Sequence, residues 1–316
     1  MPPAPNASTP AALHDTFRLE EAGEPTLALH LQATSSPAPV GDVLYVHGST
    51  FGADLSVFRR FDGRSWADEL NAAGLRAWGL DFAGYGASDR YPAGADDTPA
   101  GRLPQWLAQL QRGVAAVRQC NGDRPIALLG HSWGGCVATQ YAATRPQDVQ
   151  ALALFGPIVL RHGAAPAPGP ASSHRLVSLL AQYRRFIADV PRGEEQVLDE
   201  AHFEAWGADW LATDPHAHER RPLAVRVPDG PSAEIERLWA GHWVYEPGGV
   251  QAPTLLVRGA WDSLCNDDDA ARLLAALGSR DKADVCIPRA THLMHLEQQR
   301  SRLHAEVNAF LARTMR

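Results

Sequence analysis

Several features are scarce in this chain of 316 residues. No apolar run approaches the ~20 residues needed to cross a bilayer, so no membrane span is expected. Long lysine/arginine clusters are missing too. The basic pairs Arg59-Arg60, Arg184-Arg185 and Arg220-Arg221 read as solvated surface, and with a formal charge of -7 the chain argues against nucleic-acid binding. The N-terminal "MPPAPNASTPAALHD" has no basic stretch followed by an apolar core. It does not read as a signal peptide, and its composition predicts a mobile tail over residues 1–15. The four cysteines, Cys120, Cys136, Cys265 and Cys286, show no CxxC spacing, which predicts reduced thiols in a cytoplasmic protein. What remains is an ordinary globular composition, 45% apolar and 21% charged, in a chain long enough for one large domain with an insertion. Nothing in it specifies an oligomeric state.

The patterning alternates. Residues 16–21 and 26–33 alternate polar and apolar, as in a hairpin at a sheet edge. Short apolar runs at 42–48, 75–81, 125–130, 149–156, 253–259 and 283–288 suit strands buried on both faces. Helical spacing falls between them, at 65–74, 103–119, 136–145, 268–277 and 297–313. This order predicts an α/β fold with a mostly parallel central sheet flanked by helices. Residues 158–249 break the alternation. They open with the loop "HGAAPAPGPASS" and continue with helical pieces expected at 173–190, 194–213 and 233–243, rich in aromatics. We expect an inserted, mainly helical cap over 158–249, with 16–157 and 250–316 forming the core.

"LLGHSWGGCV" (Leu128 to Val137) carries the chemistry. A buried strand runs into Gly130-His131-Ser132-Trp133-Gly134, and a helix follows. This is the nucleophile-elbow pattern, in which a serine sits on a sharp turn between a strand and a helix. A serine hydroxyl needs a base and an orienting acid to attack at neutral pH. In this layout the acid precedes the histidine. The strand at 253–259 is followed by Asp262, and the one at 283–288 by His292. Ligand-binding loops gather at such strand ends, so Ser132, Asp262 and His292 are expected to converge.

These marks, with "VHGST" at Val46 to Thr50 and "DFAGYGASD" at Asp81 to Asp89, resemble the α/β-hydrolase fold superfamily over nearly the whole chain, from about Thr16 onward. The resemblance implies the triad Ser132, Asp262 and His292. A serine at the elbow points away from the aspartate-nucleophile dehalogenases and epoxide hydrolases and toward acyl transfer to water. Competing residues have other readings. Asp267, Asp268 and Asp269 look like the acidic start of a helix. His295 is expected to pack or bond locally, and His47 and His131 to support the elbow and the loop after the first core strand. Asp81, with Gly84 and Gly86, reads as a turn. The oxyanion hole is expected from the backbone N–H groups of Trp133 and Ser49, with Thr50 as second choice.

The expected activity is serine-dependent hydrolysis of a carboxylic ester, or of a lactone or thioester, on a bulky apolar small molecule. Phe51, Trp206 and Tyr245 are the expected substrate-binding residues. The chemistry needs no cofactor and no metal; His216-x-His218 reads as a surface loop. Two alternatives stay open. One is peptide or amide chemistry, since "GHSWGG" looks similar to the "GGSWGS" elbow of prolyl aminopeptidases, with Glu194, Glu195, Glu200 and Glu204 as candidates to hold an amine. The other is a non-catalytic small-molecule receptor.

Overall fold

A computed structural model describes residues 14–32, 38–91, 98–163 and 172–315. The expected N-terminal tail and most of the loop at 162–173 lie largely outside these residues. Strands β1 (His14–Leu19) and β2 (Leu27–Gln32) form the expected antiparallel hairpin at the sheet edge. The core continues as β3 (Gly41–Val46), α1 (Trp66–Ala72), β4 (Leu75–Asp81), α2 (Leu103–Asn121), β5 (Ile126–His131), α3 (Trp133–Thr144) and β6 (Ala151–Phe155). After β6 come β7 (His174–Ser178), α4 (Leu179–Ile187), α5 (Glu200–Ala212), β8 (Ala224–Pro228) and α6 (Gly230–Trp239). The chain returns to the sheet with β9 (Thr254–Gly259), α7 (Asp267–Ala276), β10 (Lys282–Ile287) and α8 (Arg300–Thr314).

The eight strands of the main sheet lie in the order β1-β2-β4-β3-β5-β6-β9-β10. From β4 to β10 every pairing is parallel, while β2 runs antiparallel to both β1 and β4. In β3, β5, β6 and β9 the uninterrupted apolar runs are explained by burial on both faces, whereas β10, at the sheet edge, is mostly exposed or half-buried. Leu44, Val46, Leu128 and Leu154 face one cluster, which receives α2 and α3. Val43, Tyr45, Leu129 and Val257 face the other, which receives α1 and α8. Because the strands are parallel, the loops after β3, β5, β6, β9 and β10 all leave at one end, where a site can be assembled.

Two departures from the sequence reading have local causes. Helix α3 starts at Trp133, directly after Ser132, and not at Cys136. Its first turn carries Gly134 and Gly135, which propensity places outside helices but which close packing demands here. A Cβ on Gly134 would stand 2.2 Å from the Val46 carbonyl oxygen. The stretch after β6 is also not wholly helical. Residues 174–178, expected to be helical, form β7 and pair antiparallel with β8. The partners are some fifty residues apart, and no local periodicity reports such a pairing. The acidic run Asp267–Asp269 does open a helix, with Asn266 as its N-cap and Asp269 reaching back to the Asn266 N–H.

Asp81, fully buried at the end of β4, ties the first half of the sheet together. Its carboxylate accepts from the N–H groups of Ala53 (2.7 Å) and Ala87 (2.9 Å) and pairs with His30 Nε2 (2.9 Å). Gly52 and Gly86 let the backbone close on it, since a Cβ on either would fall within 2.3 Å of a carboxylate oxygen. Burial alone would raise the Asp81 pKa. His30, His47 and the Ala53 N–H outweigh it and pull the carboxyl down to about 2. A folded-state pKa below the unfolded 3.8 means stability that is complete above pH 3.8 and lost as the pH falls through 2. Asp81→Asn is expected to lower stability at neutral pH by about 2 kcal/mol and to flatten the acid limb between those pH values. Urea denaturation across a pH series checks both.

Candidate active site

Ser132 lies between β5 and α3 with φ 54° and ψ -123°, a conformation that side chains rarely adopt. Its N–H donates to the Phe155 carbonyl (3.1 Å), and its own carbonyl accepts from the Gly135 N–H (2.9 Å). The turn closes only because its neighbours are small: a Cβ on Gly130 would lie 2.8 Å from Gly135 Cα. The strained turn presents the hydroxyl to the loop after β10.

The structure brings together the three residues the motifs single out. Ser132 Oγ lies 2.9 Å from His292 Nε2. On the other side of the ring, Nδ1 lies 3.1 Å from both carboxylate oxygens of Asp262. Asp262 Oδ1 also accepts from the N–H groups of Leu264 (2.9 Å) and Cys265 (3.0 Å), which fix the carboxylate. The carboxylate requires a hydrogen at Nδ1, leaving Nε2 free to accept the Ser132 proton. All three side chains are buried.

Buried neighbours hold the relay in register. His131 Nε2 donates to the His292 carbonyl (3.1 Å), and its ring stacks on Phe155. Burial drives the pKa of His131, and that of His295, far below the ordinary histidine range, so both rings are neutral. His295 packs edge-on to His131 and against Phe51, as local packing requires. Glu297 accepts from the Thr291 N–H (3.0 Å) and hydroxyl, anchoring the loop just before His292. Gly156, at the end of β6, has φ 52°, and a Cβ there would sit 3.0 Å from both Asp262 Oδ2 and His292 Nδ1. The segment from Gly156 to Gly163 carries no carboxylate. Its contribution is the absence of a side chain.

Trp133 opens α3, where the first N–H groups lack intrahelical partners. Ser49 is half-buried in the loop after β3, and its carbonyl accepts from Tyr85 Oη (3.1 Å). His47 braces the same loop: Nε2 accepts from the Phe82 N–H (3.1 Å) and Nδ1 donates to the Gly48 carbonyl (2.6 Å). Burial pushes its pKa down to about 4. Thr50 is gripped by side chains from the segment between β6 and β9. Trp210 Nε1 donates to its carbonyl (3.1 Å), and Arg185 donates to its hydroxyl (2.9 Å).

The expected substrate-binding residues Phe51, Trp206 and Tyr245 are all buried. Phe51 packs edge-on to Trp206. The Trp206 Nε1–H is spent on the Leu55 carbonyl (2.9 Å), and Tyr245 Oη on the Ile158 carbonyl (2.8 Å). A cavity of about 210 Å³ beside His292 is lined by Arg185, Ala188, Asp189, Ser263, Leu264 and Leu293. The glutamates considered for amine recognition are exposed. Glu194 and Glu195 face Arg289, and Glu200 accepts from Tyr183. His216 and His218 are exposed as well, with His216 paired to Glu219. Among the described residues, His14, His30 and Asp54 form a group with the composition of a cation site. Ring nitrogens of both histidines already have partners, with His14 on Asp54 (2.9 Å) and His30 between Thr16 and Asp81.

Sheet order, elbow and flanking helices together define an α/β hydrolase. The chain belongs to the family described as serine aminopeptidase, S33, whose model matches residues 41–299. It is therefore an α/β-hydrolase-type serine hydrolase. Similar proteins include the monoglyceride lipase of Rattus norvegicus, 25% identical over 73% of this chain and 70% of the relative. The monoacylglycerol lipase of Mycolicibacterium smegmatis is 26% identical over 72% and 71%. Among solved structures, a DcsB complex with its substrate analogue superposes with TM-score 0.64 at 16% identity, covering 96% of this chain and 99% of the other. The thioesterase domain from the curacin biosynthetic pathway gives 0.60 at 19%, over 96% and 99%. At these identities the structures speak to fold. Among the described residues, no helix is long and apolar enough to cross a membrane.

Two predictions follow from the packing around His292. Gly156→Ala is expected to slow labelling of Ser132 by a fluorophosphonate about 10-fold or more while the protein stays folded; labelling time courses read by intact mass check it. Burial raises the Glu297 carboxyl to about 7 despite its bonds to Thr291. A folded pKa above the unfolded 4.5 gives stability that is complete below pH 4.5 and declines as the pH rises through 7. Glu297→Gln is expected to abolish that decline, about 3 kcal/mol of pH-dependent stability, in denaturation midpoints taken from pH 4 to pH 8 (roughly, bracketing the two values).

Proposed function

We propose that this hydrolase cleaves carboxylic esters through an acyl-enzyme on Ser132. The observation that carries the proposal is the unbroken hydrogen-bonded chain from Ser132 Oγ through His292 to Asp262. His292 takes the hydroxyl proton as the oxygen attacks the carbonyl carbon. Asp262 holds the imidazole in the required tautomer and stabilises its positive charge. The N–H groups of Trp133 and Ser49 are proposed to receive the oxyanion. His292 then protonates the leaving alcohol, and water repeats the sequence to release the acid.

The ester chemistry is further supported by the similarity to lipases named for monoglycerides and monoacylglycerols. We assign residues 158–249 as a cap over the core. Its aromatics pack on one another: Phe186 and Phe203 against Trp206, and Trp206 against Trp210. That arrangement favours packing over a wide apolar pocket, and the space of about 210 Å³ beside His292 suits a compact substrate group. The glutamates' exposure, with Glu194 and Glu195 facing Arg289 and Glu200 accepting from Tyr183, weighs against the aminopeptidase alternative.

A panel of p-nitrophenyl esters, a thioester, a lactone and aminoacyl-naphthylamides tests the reading. Turnover of esters above amides is expected, with Ser132→Ala lower by about three orders of magnitude or more. Faster turnover of the amides would overturn the ester assignment. Failure of a fluorophosphonate to label the wild-type protein would favour a receptor.

A further inference from the structure

The cavity wall beside His292 carries a cation that the ester chemistry does not use. Arg185, on α4, lines this cavity together with His292, Ser263, Leu264 and Leu293. Its guanidinium donates to two neutral oxygens, Thr50 Oγ1 (2.9 Å) and Gln182 Oε1 (3.2 Å). Among the described residues it has no carboxylate within ion-pair distance. Several other partly buried arginines are ion-paired, Arg161 with Asp269, Arg258 with Asp284 and Asp267, and Arg76 with Asp42, while Arg90, away from this cavity, donates to the Gly84 and Thr213 carbonyls. Burial pulls the Arg185 pKa down to about 10, with Arg175 adding to the shift and Asp189 opposing it, and the group remains cationic at neutral pH. Asp189 is the other charged wall residue, and its Oδ2 accepts from the Ser263 N–H (3.3 Å).

A half-buried charge with no carboxylate in direct contact is less favourable than a paired one, and a ligand can supply the partner. Thr50 immediately follows Ser49, and His292 contacts Ser132, so whatever neutralises Arg185 within this cavity lies beside the reacting carbonyl. Guanidinium also matches a carboxylate in a two-pronged fork. We propose that Arg185 is a specificity-determining residue that binds a carboxylate carried by the ester substrate a few bonds from the scissile carbonyl. The proposal deepens the ester-hydrolase reading and rests on it for the identity of the reacting group. The substrate class is then a half-ester of a short dicarboxylic acid, or an ester of a carboxylate-bearing alcohol, rather than a neutral glyceride.

Two measurements test it. The first compares kcat/KM for p-nitrophenyl hemiglutarate and 3-acetoxybenzoate with that for their neutral methyl esters and for a trimethylammonium-bearing analogue. The expected result is a preference of at least about 10-fold for an anionic member, lost in Arg185→Met and partly kept in Arg185→Lys. Because each variant is read as a ratio of substrates, a general loss of rate does not imitate the effect. A wild-type ratio near one, a preference for the cationic analogue, or a ratio unmoved by Arg185→Met would overturn the proposal. The second measures glutarate binding by calorimetry to Ser132→Ala protein with and without Arg185→Met. Binding at least about 10-fold weaker without the guanidinium is expected, and equal or absent binding counts against the subsite. If glutarate binds in the Arg185-dependent way while no ester is cleaved, the subsite stands and the ester reading falls.

Discussion

The site is organised by a steric constraint at one turn. Ser132 is held at φ 54° because β5 must pass directly into α3 with the elbow pressed against β3. The Val46 and His47 carbonyl oxygens stand where a Cβ on Gly134 would be, 2.2 and 2.3 Å away. Backbone strain of this kind typically amounts to ~1–3 kcal/mol and persists only where surrounding packing over-determines it. Here that packing is the middle of the parallel sheet, with β5 between β3 and β6 and buried on both faces. The turn is therefore rigid, and everything that meets the serine is positioned relative to it.

Around that turn, polar groups are placed by side chains that reach across the fold. Asp262 is oriented by the N–H groups two and three residues on, His292 by the ring of His131, and the loop before His292 by Glu297. The loop after β3 is held by His47 and Tyr85 and, from the segment between β6 and β9, by Trp206, Trp210 and Arg185. The segment between β6 and β9 thus braces the proposed oxyanion loop through hydrogen bonds from indole and guanidinium groups. This explains the aromatic richness of that segment: large rings bury well and still carry one polar handle each.

Much of the core was legible because its strands are short, apolar and separated by helical spacing, which follows from burial on both faces. The elbow and the order of acid and histidine were legible because the turn needs glycines at set positions and strand ends collect at one edge. Helix α3 was read three residues late, since Gly134 and Gly135 look like helix breakers until β3 is seen against them. Residues 174–178 were read as helix, since the pairing that makes them a strand comes from β8, far along the chain. Tyr245 and Trp206 are legible as aromatics, but the bonds of their polar atoms to the Ile158 and Leu55 carbonyls are not, because those partners are remote in the chain. Gly156 carries no motif, and Arg185, which reads with Arg184 as solvated surface, lines the cavity beside His292 while Arg184 stays exposed.

By itself, the sequence determined the sheet class, the strained serine and the candidates that would meet it, because local sterics and hydrophobic periodicity are written in neighbouring residues. Only the tertiary structure decided which aspartate and histidine close the relay, which glycine clears space for them, and which arginine is left without a counter-ion beside them. Those are matters of distance between residues remote in the chain, and the packing of a closed core sets such distances.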